Sequence, residues 1–507
     1  MHVLRLRIIL RSDDKELLEK RFRILSRIHN IIVKYAIKQL RILRRNKEYR
    51  SLLKEYHSLK DNEIERKSVA KKLNAIIEEH HLIKSDIEKY ASLQGKKFRH
   101  HLSSQQVQKE ADRVYNGVSK VLYSNGKSLH YKKLSDTTTI CGKSASNGIK
   151  LYDAYHDYLP KNYDRNQLHD GFLWCDRYFY LDIDYSDPYI TKALNSDISY
   201  CEVKRLFFND GWHYYLNIYL KDEAPKKHNI GNSAMGIDYG TSTLAAVSDD
   251  KVMLRELAPN VGIYEKEIYK LQQKIDRSKR KLNPDNYNSD GTIKKGKNKW
   301  IISNNCRRYL NHIKTLHRKK AAYIRQCHEE MANEMIAEAS LFIAEPMNFS
   351  ALAKRANETK RSDKESTVRQ KDGSTKKVFK YKKKRRFGHS INTRAPAELV
   401  NILIRKCRQY GLSYYEVDPW KYKASQYDHS TDKYTKCTLN DREKIINGQK
   451  VQRDLYSAFL ILNSNETFDH PDREQCNNTF DRFVEIMNDE IQKMKANGIS
   501  RKACFGF

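Results

Sequence analysis

Met235-Gly236-Ile237-Asp238-Tyr239-Gly240-Thr241, followed by the apolar Leu244-Ala245-Ala246-Val247, reads as a strand, a tight turn and a second strand. Asp238 falls at the end of the first strand, where loops leave room for a ligand. Strands and helices alternate from there onward, the pattern of an α/β domain. Two later stretches share its character. In Leu341-Phe342-Ile343-Ala344-Glu345-Pro346-Met347 a four-residue apolar run predicts a buried strand, with Glu345 at its carboxyl end and Pro346 closing the ladder. An acid in that place is costly to desolvate unless it is paired or metal-bound. Val451 to Leu462 has a helical period and puts Asp454 in the first turn, where the helix dipole favours an anion. Arg453 is its salt-bridge partner if the role of Asp454 is purely structural.

Asp, Glu and Asp in that order, on two strand ends and one helix, form a set suited to magnesium, which takes oxygen ligands and keeps several waters. Two such ions about 4 Å apart can activate a water and stabilise the leaving oxygen of a phosphodiester, with no side-chain nucleophile. The set predicts metal-dependent phosphodiester hydrolysis. GIDYGTST also resembles the first phosphate loop of actin-like ATPases and sugar kinases. Those proteins need further glycine-rich loops, whereas this chain has 19 glycines and no Gly-Gly pair. Gly126-Lys127-Ser128 and Gly142-Lys143-Ser144 lack the earlier glycine of a P-loop, with Val121 and Thr137 standing in its place. Asp418, after Tyr414-Tyr415-Glu416-Val417, is a rival acid, but the following Pro419 marks it mainly as a turn residue.

Upstream, His2 to Leu10 alternates as one strand. From Ser12, a candidate cap, Leu17, Leu18, Phe22, Leu25, Ile28, Ile32 and Ala36 recur at helical spacing. Amphipathic helices continue to about Leu122. Gly126 to Gly148 turns to Gly, Ser and Thr, and Phe172 to Leu220 reads as strands, with Asn209-Asp210-Gly211 as a hairpin turn. The lone first strand needs a partner, and the later β-rich block supplies one. The helices between them are then an excursion from a barrel. Ala224-Pro225-Lys226-Lys227 reads as a linker.

The charge balance is 96 Lys and Arg against 63 Asp and Glu, or +33. Such a surplus repels itself and calls for a polyanion, bound tightly and with strong salt dependence. Residues 351–390 hold fifteen cations and four acids, a third of the excess. Their centre includes Lys380, Lys382, Lys383, Lys384, Arg385 and Arg386, with Phe379, Tyr381 and Phe387 between and beside them, a mixture suited to single strands or an RNA–DNA hybrid. In Glu265 to Leu282 an apolar stripe (Ile268, Leu271, Ile275) opposes a basic one of Lys266, Lys270, Lys274, Arg277 and Lys281. Taken alone, such a stripe is a solvated face. Asn304 to Ala339 reads as a second long helix with a plain apolar core stripe. No stretch is apolar enough for a membrane span, and MHVLRLRIIL is broken by Arg5 and Arg7, so neither membrane insertion nor secretion is expected. Nine scattered cysteines without a C-x-x-C fit a reducing cytosol.

GIDYG, LFIAEPMNFSALAKR and VQRDLYSAFLIL, supported by ASQYDHSTDKYTK and the basic helix, resemble the TnpB transposon-encoded nucleases and the compact type V CRISPR effectors. The resemblance covers most of the chain. It implies a multidomain α+β and α/β protein: a wedge-type β-barrel (1–11 and 126–228) interrupted by a helical recognition lobe (12–125), then an RNase H-like (RuvC) nuclease domain (229–420 and 451–507). Within that domain it implies a bridge-like helix at 264–282 along the guide–target hybrid and a basic loop at 351–390. It maps the nuclease triad onto Asp238, Glu345 and Asp454, holding two magnesium ions, and implies a guide RNA and a target DNA with a short adjacent motif read by protein. Many such proteins carry a zinc ribbon before the third acid. Here 424–450 offers one cysteine, Cys437, and His429, so the expectation for the 421–450 insertion is no zinc and a shape held by packing.

The resulting expectation is an RNA-guided DNA endonuclease in a prokaryotic cytoplasm, associated with the nucleoid when bound to DNA. The alternatives are an RNA-guided DNA-binding protein that does not cut, and a transposase or resolvase of the same fold without RNA.

Overall fold

The structure, a computed structural model, describes residues 2–59, 62–124, 126–144, 148–152, 171–208, 211–226, 228–289, 291–296, 298–353, 361–369, 375–381, 387–436, 441–499 and 505. The chain divides into two compact units, 1–224 and 225–507, with the boundary inside Ala224-Pro225-Lys226-Lys227. Among the described residues no helix is long and apolar enough to cross a membrane.

The first unit opens with β1 (His2–Ile9), whose Leu4, Leu6 and Ile8 turn inward at every second position. Helices α1 (Asp14–Arg45), α2 (Lys47–Ser58), α3 (Glu63–Glu79), α4 (Lys84–Gly95) and α5 (Ser104–Tyr123) follow. Then come β2 (Thr139–Cys141), β3 (Ile149–Tyr152), β4 (Gly171–Trp174), β5 (Arg177–Asp182), α6 (Pro188–Leu194), β6 (Ile198–Phe208) and β7 (Gly211–Leu220). Asp13, not Ser12, precedes α1, and Asp14 turns its carboxylate back to accept from the Arg11 amide at 3.0 Å.

As expected, β1 pairs with strands of the later block, antiparallel to both β5 and β7. The expected closed barrel is corrected. The seven strands lie in the open order β2-β6-β7-β1-β5-β4-β3, and among the described residues the terminal strands β2 and β3 share no ladder. β2 has three residues and β3 four, too short to complete a closing seam. Sheet and helices share one hydrophobic core, in which Leu4 and Leu6 join Phe22 and Ile28 of α1 and Val107 and Val114 of α5.

The second unit begins with β8 (Ser233–Tyr239), β9 (Thr243–Val247) and β10 (Val252–Glu256), an antiparallel meander. Helices α7 (Val261–Leu282) and α8 (Asn304–Glu338) lead to β11 (Ala339–Ala344), which runs parallel to β8. After α9 (Phe349–Ala353), an antiparallel hairpin of β12 (Arg361–Arg369) and β13 (Thr375–Tyr381) stands where a basic loop was expected. Asp372-Gly373 in the sequence is a hairpin signal that the charge of the segment overshadowed. Then α10 (Gly388–Arg394) and α11 (Pro396–Tyr410) lead to β14 (Ser413–Glu416), parallel to β11. The central sheet has the order β10-β9-β8-β11-β14. α12 (Pro419–Tyr422), the short pairs β15 (Tyr427–Asp428) with β16 (Lys433–Tyr434) and β17 (Glu443–Ile446) with β18 (Gln449–Gln452), α13 (Arg453–Leu462) and α14 (Arg473–Ala496) complete the unit.

The sheet is covered on both faces. Met235, Ile237, Phe342 and Ala344 pack with Met331 and Met335 of α8 and Leu399 and Leu403 of α11. Ile343, Ala245 and Val247 face the other way, toward Tyr456, Phe459 and Leu460 of α13 and Phe480 and Phe483 of α14. Gly236 lets α13 come this close. A Cβ there would stand 2.2 Å from the Ala458 carbonyl oxygen and 2.4 Å from the Leu462 amide nitrogen.

Candidate carboxylate site and nucleic-acid surfaces

Side chains two apart on a strand share a face. Asp238 therefore follows Gly236 onto the α13 side of the sheet, and Glu345, two beyond Ile343, takes the same side. The strands are in register at their ends: Ile237 is paired with Ala344, Ala344 with Glu416, and the Glu345 amide donates to the Ile237 carbonyl at 3.2 Å. Asp238 and Glu345 thus stand side by side at the carboxyl ends of parallel strands. Asp454 is the second residue of α13, one turn before Ala458, the residue that seats the helix on Gly236. Packing brings all three sequence-marked acids to one face and one end of the sheet.

Their electrostatics differ. Burial first, then the Asp454 and Glu345 carboxylates, hold the Asp238 carboxyl well above the usual range, with Arg453 and Arg442 pulling the other way. Burial alone pushes Glu345 up. Among the described residues no side chain hydrogen-bonds or ion-pairs with either carboxylate. Asp454 is occupied. Arg442 Nη1 donates to Oδ2 at 3.2 Å, and Arg453 Nε and Nη2 donate to Oδ1 at 3.1 and 2.8 Å. The structural role foreseen for Arg453 is therefore realised, with Arg442 as a second partner that the sequence did not suggest. Among the described residues no three His, Cys, Asp or Glu side chains stand close enough to hold a metal ion. The three acids share a face, and Asp238 feels the charge of the other two, without forming a coordination shell among the described residues.

A hard dication fits two of the three. Asp238 and Glu345 are half-buried carboxyls without a contacting cation among the described residues, and such an ion would stabilise their charged forms. Asp454 fits only once its arginines let go. Asp418, the rival acid, is committed locally: its Oδ1 accepts from the Trp420 amide at 2.9 Å as the cap of α12.

Lys266, Lys270, Lys274, Arg277 and Lys281 are exposed along α7, and among the described residues none pairs with an acid. The opposite stripe, Ile268 and Leu271, packs on Leu316 of α8. Lys382, Lys383, Lys384, Arg385 and Arg386 lie outside the described residues, and of Lys380 only the backbone, in β13, is described.

The 421–450 insertion is anchored by aromatic residues. Tyr422 bonds the Leu460 carbonyl and, at 3.0 Å, Ser464 Oγ, while the buried His429 ring meets Tyr456 Oη at 2.7 Å. Arg473 Nε donates to the His429 carbonyl at 2.8 Å. Cys437 lies outside the described residues.

No family profile matches the sequence, and no curated protein matches it. Solved structures do. A cryo-EM structure of a Cas12f1–sgRNA–target DNA complex is 14% identical with a TM-score of 0.44, over 91% of this chain and 98% of that one. A CRISPR-Cas12f ternary complex is 15% identical with a TM-score of 0.22, over 91% and 99%. An AacC2c1–sgRNA–extended non-target DNA complex is 7% identical with a TM-score of 0.19, over 76% and 61%.

Proposed function

We propose that this chain is an RNA-guided DNA endonuclease of the TnpB and compact type V kind, with one RuvC-like site that hydrolyses a phosphodiester of the target DNA. The observation that carries the reading is the convergence of Asp238, Glu345 and Asp454, remote in sequence, at the carboxyl end of one sheet, two of them half-buried with no cation in contact among the described residues. The order β10-β9-β8-β11-β14, with β9 antiparallel to a parallel set, supports an RNase H-like domain. The motifs named in the sequence and the +33 charge support nucleic-acid partners. The proposed partners are a guide RNA and a target DNA.

Asp238 and Glu345 would hold magnesium, joined by Asp454 when Arg442 and Arg453 release it. Bound there, the metal supplies an activated water and charge stabilisation for the leaving oxygen. The chain itself contributes a rigid pair of carboxylates on neighbouring strand ends. Burial at both, with repulsion from the neighbouring acids added at Asp238, leaves them poised to take up positive charge. Arg442 and Arg453 meanwhile hold the third acid in place by three hydrogen bonds.

The occupied Asp454 favours a second reading, an RNA-guided binder that does not cut. Both are tested by titrating magnesium against DNA nicking, using the protein purified with its RNA. Cleavage that requires magnesium and is abolished in Asp238→Ala, with nucleic-acid binding retained, supports the nuclease. Binding without cleavage at any magnesium concentration supports the second reading. Cleavage that survives Asp238→Ala refutes the site, and absence of any bound RNA refutes the guide.

A further inference from the structure

Trp420 is 84% exposed, an unusual position for the largest apolar side chain. The chain's other three tryptophans are engaged: Trp174 is fully buried, Trp212 meets Phe207 edge-on, and Trp300 meets Tyr287 in the same way. Among the described residues no ring or cation contacts the Trp420 indole. A single exposed aromatic is ordinary in itself, so what matters is how this one is held and where.

It is held rigidly. Pro419 sets the first turn of α12, Asp418 Oδ1 accepts from the Trp420 amide at 2.9 Å, and the Asp418 carbonyl accepts from the Tyr422 amide at 2.8 Å. Tyr422, fully buried, anchors the turn to the end of α13 through Leu460 and Ser464. Lys423, at φ +46°, then ends it. In the run Trp420-Lys421-Tyr422-Lys423 only the tyrosine points inward, leaving the indole flanked by two exposed ammonium groups.

The turn that carries it also begins beside the carboxylates. The Val417 amide donates to the Ala344 carbonyl at 3.0 Å, so the chain enters α12 directly beside the residue where β11 yields to Glu345. Tyr422 lies near enough to Glu345 to feel its charge. An exposed aromatic ring with two exposed lysines next to it along the chain, on a turn that begins beside a candidate phosphodiester site, has the chemistry of a single-strand platform: bases stack on the ring while ammonium groups meet the phosphates.

We propose that Trp420, flanked by Lys421 and Lys423, is a stacking subsite for an unpaired nucleobase of a single strand approaching the Asp238–Glu345 site. It deepens the nuclease reading and rests on it for the strand's purpose, but not for the binding itself.

The test is a fluorescence titration of the full chain with short oligodeoxyuridylate and oligouridylate, which differ only in the sugar, in chelator so that nothing is cut. The native protein should show saturable quenching of indole emission. Trp420→Ala should lose the quench and bind about tenfold more weakly, and Trp420→Tyr should recover most of the affinity. The stronger of the two oligonucleotides identifies the sugar of the bound strand. An Ala variant with native affinity and native quench overturns the subsite. A separate magnesium cleavage assay keeps the two claims apart. Stacking in a native protein that never cleaves DNA retains the subsite and removes the nuclease, whereas cleavage with an inert Trp420 does the reverse.

Discussion

Asp238 sits where the fold disfavours its charge: half-buried, with Asp454 and Glu345 nearby. Such a group is retained at a cost in stability, and neutral isosteres at sites of this kind commonly stabilise the protein. Asp238→Asn is expected to stabilise the chain at neutral pH by about 1 kcal/mol while eliminating cleavage. Chemical denaturation beside a nicking assay measures both. A destabilised variant would show that Asp238 has a structural partner. Each acid's place on a strand end or in a first turn was legible from apolar runs and a terminating proline. Arg442 was not, because it lies twelve residues from Asp454 and meets it only across the β17–β18 hairpin.

At the level of elements, the first unit is pinned by a charged cluster no periodicity reveals. Glu110 of α5, 2% exposed, meets His29 Nδ1 of α1 at 2.6 Å, Arg113 Nη1 at 2.8 Å and Lys132 Nζ at 3.0 Å. Burial alone would raise its carboxyl. The bond to His29 and the two cations outweigh that and hold it at about 2. A depressed carboxyl contributes stability above its unfolded value, about 4.3, and loses it as pH falls through the folded one. This unit should thus shed about 3 kcal/mol between roughly pH 4.5 and 2. Glu110→Gln should be less stable at neutral pH and flatter across that window, as acid titration followed by circular dichroism would show. A native-like acid profile in that variant would assign the sensitivity elsewhere. The long helices and β5 to β7 were readable because their apolar periods run long enough to exceed noise. β2, β3 and α6 were not, being three to seven residues long.

For the whole molecule, charge makes the strongest prediction. Each phosphate neutralised steepens the dependence of log K on log salt by roughly 0.7 to 0.9. Replacing Lys266, Lys270, Lys274, Arg277 and Lys281 with alanine should lower that slope by up to about 4, read from binding isotherms over a salt series. An unchanged slope would return the stripe to a solvated face. The apolar stripe of the same helix is spoken for by α8, so the substitutions should leave folding intact.

Composition and period by themselves determined a basic nucleic-acid-directed protein, the strand and helix types of its main elements, and three acids at element ends, because each of these is written in neighbouring residues. Tertiary structure alone decided that the first sheet is open among the described residues, that the acids meet on the α13 face, and that arginines already hold the third. Closure, convergence and pairing all depend on contacts between residues far apart in the chain, where strand length, the close seat at Gly236 and the reach of a guanidinium prevail over any local pattern.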